Sequence, residues 1–512
     1  MATISKEARQ YPDLTSGYNQ RWSGTPESVV LVESVEQVAP LVQEAVRDGK
    51  RMTVNGAGHC FEDFVYNSDV DVVINMKHLD AVYYDPAMNA VAVEAGSNLL
   101  NVYEKLYERW GVTLPGGLCY SVGVGGHVSG GGWGALARRH GLIVDHLYAV
   151  EVVVVGEGGE VRRVVATREE DDPNRDLWWA HTGGGGGNFG VITRYWFRSP
   201  GATGREPGEI LPRPPRHVLL SAAALSWDEI TEAGFTRLVN NYADWHVRNS
   251  RPGSRAAGLF GLAVLNHRSN GQIGLITQVE ADLPGADDLL AEYLDAITDG
   301  VGAPLQPMTA SMGEYNAMPG CYEAQRLPWL QATRFLGTNN VDLNNPTLRA
   351  DYKSGYMRGN FPDKHVATMY QSLTSTDIDN STATMHLQGF GAQVNAVPES
   401  ATAFAHRSSF FKLYWQVLWD DPADDDEHLT WLRRFYADLY RDTGGVPVPN
   451  ELTDGCYVNY PDVDLNSAEH NQSQVPWYRL YYKENYERLQ QVKKRFDPRD
   501  VFRHAQSVRL PD

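Results

Sequence analysis

Cysteine is scarce in this chain. Cys60, Cys119, Cys321 and Cys456 are the four among 512 residues, and no two stand in a CxxC spacing. That excludes the common zinc-ligand patterns; four cysteines allow a disulfide by number, but nothing in their spacing points to a disulfide-stapled extracellular scaffold. Positive charge is in deficit as well: 45 Lys and Arg against 64 Asp and Glu leave a formal net charge of −19. Such a chain repels nucleic-acid phosphates and anionic headgroups, so neither nucleic acid nor membrane is expected as a partner. No apolar run approaches the ~20 residues that span a bilayer. The N-terminal stretch MATISKEARQYPDLTSGYNQRW has no basic segment leading into an apolar one, so a cytoplasmic location is expected. Internal repeats and low-complexity segments are also missing.

What the chain does have is glycine in dense local runs. Between Gly116 and Gly134 nine glycines fall in nineteen residues, with Cys119 and His127 among them. Glycine at that density lets a backbone approach a ligand closely and turn its N–H groups inward. A second glycine-flanked segment, Val54-Asn55-Gly56-Ala57-Gly58-His59-Cys60, lies about sixty residues earlier, and five consecutive glycines stand at Gly183–Gly187. Five glycines cannot form the interior of a helix or strand, so they form a loop held by other parts of the protein.

At this length more than one core is expected. SVVLVE reads as a strand, and Ser34 with Gln37 as a capping box opening a helix on Val38, Leu41, Val42 and Ala45. MTVN, DVVINM and AVAVEAG read as strands, then a helix on Leu99, Tyr103, Leu106 and Trp110; YAVEVVVV and EVRRVVA form a hairpin about Gly156–Gly159. The Pro- and Gly-rich stretch 199–215 reads as a domain boundary. Beyond it, strands (GLFGLAVLNH, GQIGLITQVEA, TMHLQGFGAQVN) alternate with amphipathic helices, which fits a sheet covered on one side by helices. The acidic run Asp420–Glu427 is expected to start the last of these helices.

The pairing of VNGAGHC with GLCYSVGVGGHVSGGGWG resembles the flavin-binding half of the berberine-bridge-enzyme-like oxidases, within the vanillyl-alcohol oxidase and cresol methylhydroxylase-type FAD superfamily. GGGGNFGVIT is similar to the family's loop near the adenine end of FAD, and CYVNYPDVDLN and WYRLYYKENYERL to its C-terminal signatures, so the likeness runs from about residue 25 to 510. It implies an α+β fold: a cresol methylhydroxylase-type FAD-binding domain from 1–200 and 451–512, and an α+β substrate domain from 201–450 whose sheet is covered by helices. It also implies FAD bonded twice, the 8α-methyl carbon to His59 and C6 to Cys119, with Cys60 the less suitable thiol because it adjoins His59. The remaining cofactor contacts implied are Asn55, Gly56, Ala57, Gly58, Cys60, Val122, Gly123, Gly125, Gly126, His127, Trp133, Gly187, Gly190, Ile192 and Asn485. No metal is expected.

For chemistry, the resemblance places Tyr457 of YVNYPD as the base facing the flavin's N5, and His127 near its N1/C2=O side, where a donor stabilises charge formed on reduction. Val122 matches a position where valine accompanies oxidase behaviour. Trp133 departs from a tyrosine found in sugar-oxidising relatives; an indole N–H cannot act as a base, so a second tyrosine would come from elsewhere, Tyr460 or Tyr148. Alternation along an extended segment would put Tyr457 and Asn459 on one face and Tyr460 on the other. Trp133, His386, Gln388 and Arg407 are the substrate-side candidates.

The expected activity is oxidation of an alcohol or lactol of a bulky natural product or glycoside to a carbonyl, with O2 reduced to H2O2. The alternatives are a carbohydrate oxidase, a flavin dehydrogenase with a non-oxygen acceptor, and a non-catalytic flavin carrier. A nicotinamide-binding Rossmann site fits poorly, because the GGG in VGVGGHVSGGG breaks the helix that G-x-G-x-x-G must open.

Overall fold

Hydrophobic spacing alternates between periods of 2 and 3.6 along the chain. In the computed structural model, which describes residues 1–337 and 344–512, those changes mark the strands and helices. The first sheet has the strand order Ala2–Ser5, Ser28–Leu31, Val72–Asn75, Met52–Asn55, with parallel pairing among the last three. Helix Val38–Arg47 buries Val38, Leu41, Val42 and Ala45, the stripe the sequence spacing predicts. Its entry differs from the expected capping box. A tight turn over Val35–Gln37 intervenes, the Ser34 side chain makes no cap bond, and Gln37 Oε1 accepts instead from the Glu33 amide at 2.9 Å.

A second, antiparallel sheet runs Val82–Asp85, Ala90–Glu94, Val191–Phe197, Leu147–Val155, Val161–Thr167. Every residue of Leu147–Val155 is buried because both faces of that strand are covered. Val153 and Val155 pack with the first sheet, whereas Val150, Val152 and Val154 join the main core.

The third sheet draws all its strands from residues 217–419 and is antiparallel throughout. Helices Glu232–Asn249, Ala286–Thr298, Asp363–Leu373 and Asp425–Leu439 pack against one another and on this sheet. Asp425, Asp426 and Glu427 occupy the first turn of the last helix, as the acidic run predicts. Five strands here are additional to those legible in the sequence: the long His217–Ser226, Arg349–Met357 and Phe411–Trp419, and the short Gln306–Pro307 and Gln325–Pro328.

In strand Phe411–Trp419 the side chains alternate: Trp415 packs on helix Asp425–Leu439 through Phe435 and Tyr436, so Lys412 and Tyr414 point to the other side. Register pairs His386 with Tyr414 and Gln388 with Lys412, which assembles a polar and aromatic face away from the helices. The C-terminal segment then returns to the five-glycine loop: Tyr482 Oη donates to Gly184 O at 3.0 Å, Lys493 Nζ to Asn188 O at 2.8 Å, and the Val508 amide to Asn188 Oδ1 at 2.8 Å. Among the described residues no helix is long and apolar enough to cross a membrane.

Candidate active site

The three glycine segments and the polar face of the third sheet enclose one cavity of about 360 Å³. Loop geometry explains how they meet. Asn55 Oδ1 accepts from the Gly58 amide at 2.8 Å and Asn55 Nδ2 donates to Tyr66 Oη at 2.6 Å, which folds the first loop back on its strand. A Cβ on Gly123 would sit 3.0 Å from Ala57 Cβ, so the first two loops touch only because glycine is there. The five-glycine loop is held from outside, with Asn188 Nδ2 on Gly184 O at 2.9 Å and His504 Nε2 3.2 Å from Gly186 O. A Cβ on Gly56 or Gly126 would meet nothing closer than 3.9 Å, because both face the open space of the cavity. A cradle of bare backbone roofed by aromatic and polar side chains fits a long, flat dinucleotide such as FAD.

Every glycine-loop residue assigned to the cofactor from sequence lines this cavity, as do Cys60, Val122, Trp133 and Ile192. Burial holds the His59 imidazole down to about 4, so the ring is neutral. His59 Nε2 lies 2.9 Å from Ser121 Oγ, and the same hydroxyl is 3.5 Å from Cys119 Sγ. Cys60 is the opposite case: burial pushes its thiol up to about 12, which leaves it a poor nucleophile. His127 Nε2 accepts from the Gly117 amide at 3.0 Å, and burial, with a smaller effect from Lys412, lowers its pKa to about 4. The ring is therefore neutral and its one proton sits on Nδ1.

Tyr457 Oη accepts from the Gly132 amide at 3.2 Å and from Asn459 Nδ2 at 2.9 Å, while Asn459 Nδ2 also donates to His127 O at 2.9 Å. A Cβ on Gly130 would lie 2.0 Å from Asn459 Oδ1, so glycine makes room for this bracket. Burial pushes the Tyr457 phenol up to about 12, against the opposing pull of the Asn459, Gly132 and Trp133 donors. The expectation that Tyr460 faces away from Tyr457 is corrected. Residues 457–460 form a turn closed by Tyr460 N–H on Tyr457 O at 2.9 Å, so strand alternation does not apply, and both rings line the cavity 4.9 Å apart.

Lys412 completes the cluster. It is fully buried, with Nζ 3.2 Å from Tyr460 Oη and 4.1, 4.6 and 4.3 Å from the ring centroids of Trp133, Tyr457 and Tyr460. Burial draws its ammonium well below the usual lysine range. Sequence reasoning missed both Lys412 and Ser121. The available signals were a lone lysine in the alternating strand FKLYWQVLW and a serine two residues beyond Cys119.

His386 and Gln388 line the cavity from the third sheet. His386 Nε2 is 2.9 Å from Thr384 Oγ1, but its Nδ1, Gln388 Oε1 and Trp133 Nε1 are buried with no partner among the described residues. Three other candidates lie outside the cavity lining and are corrected. Arg407 is spent on Asp145, with Nη2 2.7 Å from Oδ1, and on Thr402 Oγ1. Asn485 Nδ2 clasps the carbonyls of Glu399 and Thr402 at 2.9 and 3.1 Å. Tyr148 lies under Arg198, whose guanidinium is 3.7 Å from its ring centroid.

Comparison with known proteins agrees with this geometry. A family described as FAD binding domain matches residues 26–164, and one described as berberine and berberine like matches residues 456–509. The chain is 46% identical to the aclacinomycin-N/aclacinomycin-A oxidase of Streptomyces galilaeus, over 100% of this chain and 90% of that protein. It is 33% identical to the hexose oxidase of Chondrus crispus, over 99% of this chain and 94% of that protein. Among solved structures, CrmK, a flavoenzyme of shunt product recycling in caerulomycin biosynthesis, superposes with a TM-score of 0.95 at 44% identity, covering 100% of this chain and 99% of that one. The glycopeptide hexose oxidase DBV29, solved with teicoplanin, gives 0.92 at 44% identity, covering 99% and 98%. Glycine cradle, phenol cluster and full-length similarity together make this chain an FAD-linked oxidoreductase of the berberine-bridge-enzyme-like oxidase family.

Proposed function

We propose that this enzyme oxidises an alcohol or lactol carbon of a bulky natural product or glycoside to a carbonyl, with dioxygen as acceptor and hydrogen peroxide as product. Relatives named for aclacinomycin, hexose and a glycopeptide support that substrate class. The observation that carries the reading is the Tyr457 hydroxyl, held at the cavity by Gly132 N–H and Asn459 Nδ2 with Lys412 against its ring. FAD, when bound, supplies the hydride acceptor and passes the electrons to dioxygen.

The chain's own residues then have separable tasks. Tyr457 takes the proton of the substrate hydroxyl, and its two N–H donors stabilise the phenolate. Burial disfavours charge on Tyr457 or Lys412 alone, but an ammonium beside a phenolate in a water-poor site offsets both penalties. Trp133 Nε1–H, His386 Nδ1 and Gln388 Oε1 hydrogen-bond neighbouring polar groups of the substrate. His127, with Nδ1–H as its donor, serves the part of the cofactor where negative charge grows. His59 and Cys119 hold FAD covalently, which leaves the cavity roof open to a large substrate.

The test is anaerobic mixing of the purified holoenzyme with a panel of glycosides and hydroxylated natural products. A substrate should bleach the flavin, and admitting air should restore the colour with release of peroxide. Turnover that requires an added acceptor and yields no peroxide would assign a dehydrogenase instead.

A further inference from the structure

Ser121 stands between the two residues assigned to cofactor attachment. Its place is set by backbone: the Val122 amide closes a turn on Cys119 O at 3.2 Å, and the first amides of helix Leu99–Trp110 grip the same turn. Leu99 N–H reaches Val122 O and Leu100 N–H reaches Tyr120 O, both at 3.0 Å. On the opposite side the His59 ring stacks on Tyr18 with centroids 5.1 Å apart, so imidazole and hydroxyl are both anchored.

A serine hydroxyl has one proton to give. Given to His59 Nε2, it forces the imidazole's own proton onto Nδ1, and neither nitrogen then offers a free lone pair. Given toward Cys119 Sγ, it leaves Oγ to accept Nε2–H, and Nδ1 keeps its lone pair. Of the two arrangements, the second alone presents a nucleophile.

We propose that Ser121 is a positioning residue for flavin attachment: its hydroxyl holds His59 in the Nε2–H form, leaves Nδ1 as the bonding nitrogen, and carries the Nε2 proton away as the bond forms. The proposal rests on the covalent reading of His59 and Cys119. At each link a C–H bond of the cofactor and an N–H or S–H bond of the protein are replaced by one C–N or C–S bond. Two protons and two electrons leave, and dioxygen takes them as one hydrogen peroxide. At His59 the departing nitrogen proton is the one that faces Ser121, so the hydroxyl lies on its exit path. Afterwards Nε2 carries the lone pair and Ser121 becomes the donor; threonine can make the same exchange and alanine cannot.

The experiment compares wild type, Ser121→Ala and Ser121→Thr as purified holoproteins. Each is denatured and digested, and flavin on the His59 and Cys119 peptides is quantified by mass spectrometry, with thermal melting as a check on folding. Wild type and Ser121→Thr should carry flavin on both peptides; Ser121→Ala should lose the doubly linked form and show free His59 peptide. A fully doubly linked Ser121→Ala protein overturns the proposal, as does a Ser121→Thr protein as deficient as Ser121→Ala, since shape and not the hydroxyl would then matter. Wild type that releases all its flavin on denaturation overturns the covalent reading itself, which is a distinct result.

Discussion

Replacing Lys412 by methionine should lower activity and leave stability unchanged or improved, two effects that a purely structural lysine would not separate. The side chain is fully buried, and Nζ lies 4.6 and 4.3 Å from the Tyr457 and Tyr460 ring centroids. A desolvated ammonium over an aromatic ring contributes about 2 kcal/mol. If that interaction strengthens when the phenol becomes a phenolate, its loss slows proton abstraction by roughly 30-fold, at about 1.4 kcal/mol per factor of ten. Methionine has a similar volume and removes a charge whose burial is costly, so the folded state gains or breaks even. The assay is anaerobic stopped-flow bleaching of the flavin as a function of pH, with melting temperature measured alongside. The rising limb of the rate should move to higher pH in Lys412→Met, because the phenol loses the cation that favours its ionised form. An unchanged rate and an unmoved limb would refute the role of Lys412 as counter-charge.

Tyr457→Phe should slow anaerobic flavin reduction by a factor on the order of 10² or more, the scale of a lost general base, and reduction at the wild-type rate would remove Tyr457 from that role. Acid-precipitated wild type should stay yellow, and the His59→Ala, Cys119→Ala double variant should release its flavin; acid-stable colour in the double variant would mean other attachment sites. Acid should destabilise the fold through its buried histidines. His127, His181 and His504 are held down to about 4 by burial, so between pH 6.5 and 4 the unfolded state binds more protons and stability falls as pH drops through that window. Above pH 6.5 these histidines contribute no slope, and a melting temperature that is flat from pH 6.5 to 4 would contradict the assignment.

The glycine loops were legible because their physics is local. Gly183–Gly187 cannot hold itself as helix or strand, and a loop gripped by Asn188, Tyr482 and His504 is what the structure contains. Helix Val38–Arg47 and hairpin Leu147–Val155 with Val161–Thr167 were legible for the same reason, since each follows from a short-range period or turn. Arg407 and Asn485 were misplaced because nothing near them in sequence announces Asp145 or the Glu399 and Thr402 carbonyls as partners. Strand Phe411–Trp419 was overlooked as a site element, although its alternation separates Lys412 and Tyr414 from Trp415.

The sequence by itself determined the family, the cofactor cradle and the residue types available for chemistry, because these depend on glycine spacing and on side chains carried by the same short segments. The tertiary structure alone decided how those groups are charged and aimed. Tyr457 meets Gly132 across 325 positions of the chain, Asn459 meets His127 across 332, and Lys412 loses its water only where the third sheet meets Trp133, Tyr457 and Tyr460. Proton affinity depends on burial and on partners in space, and no local pattern of residues encodes either.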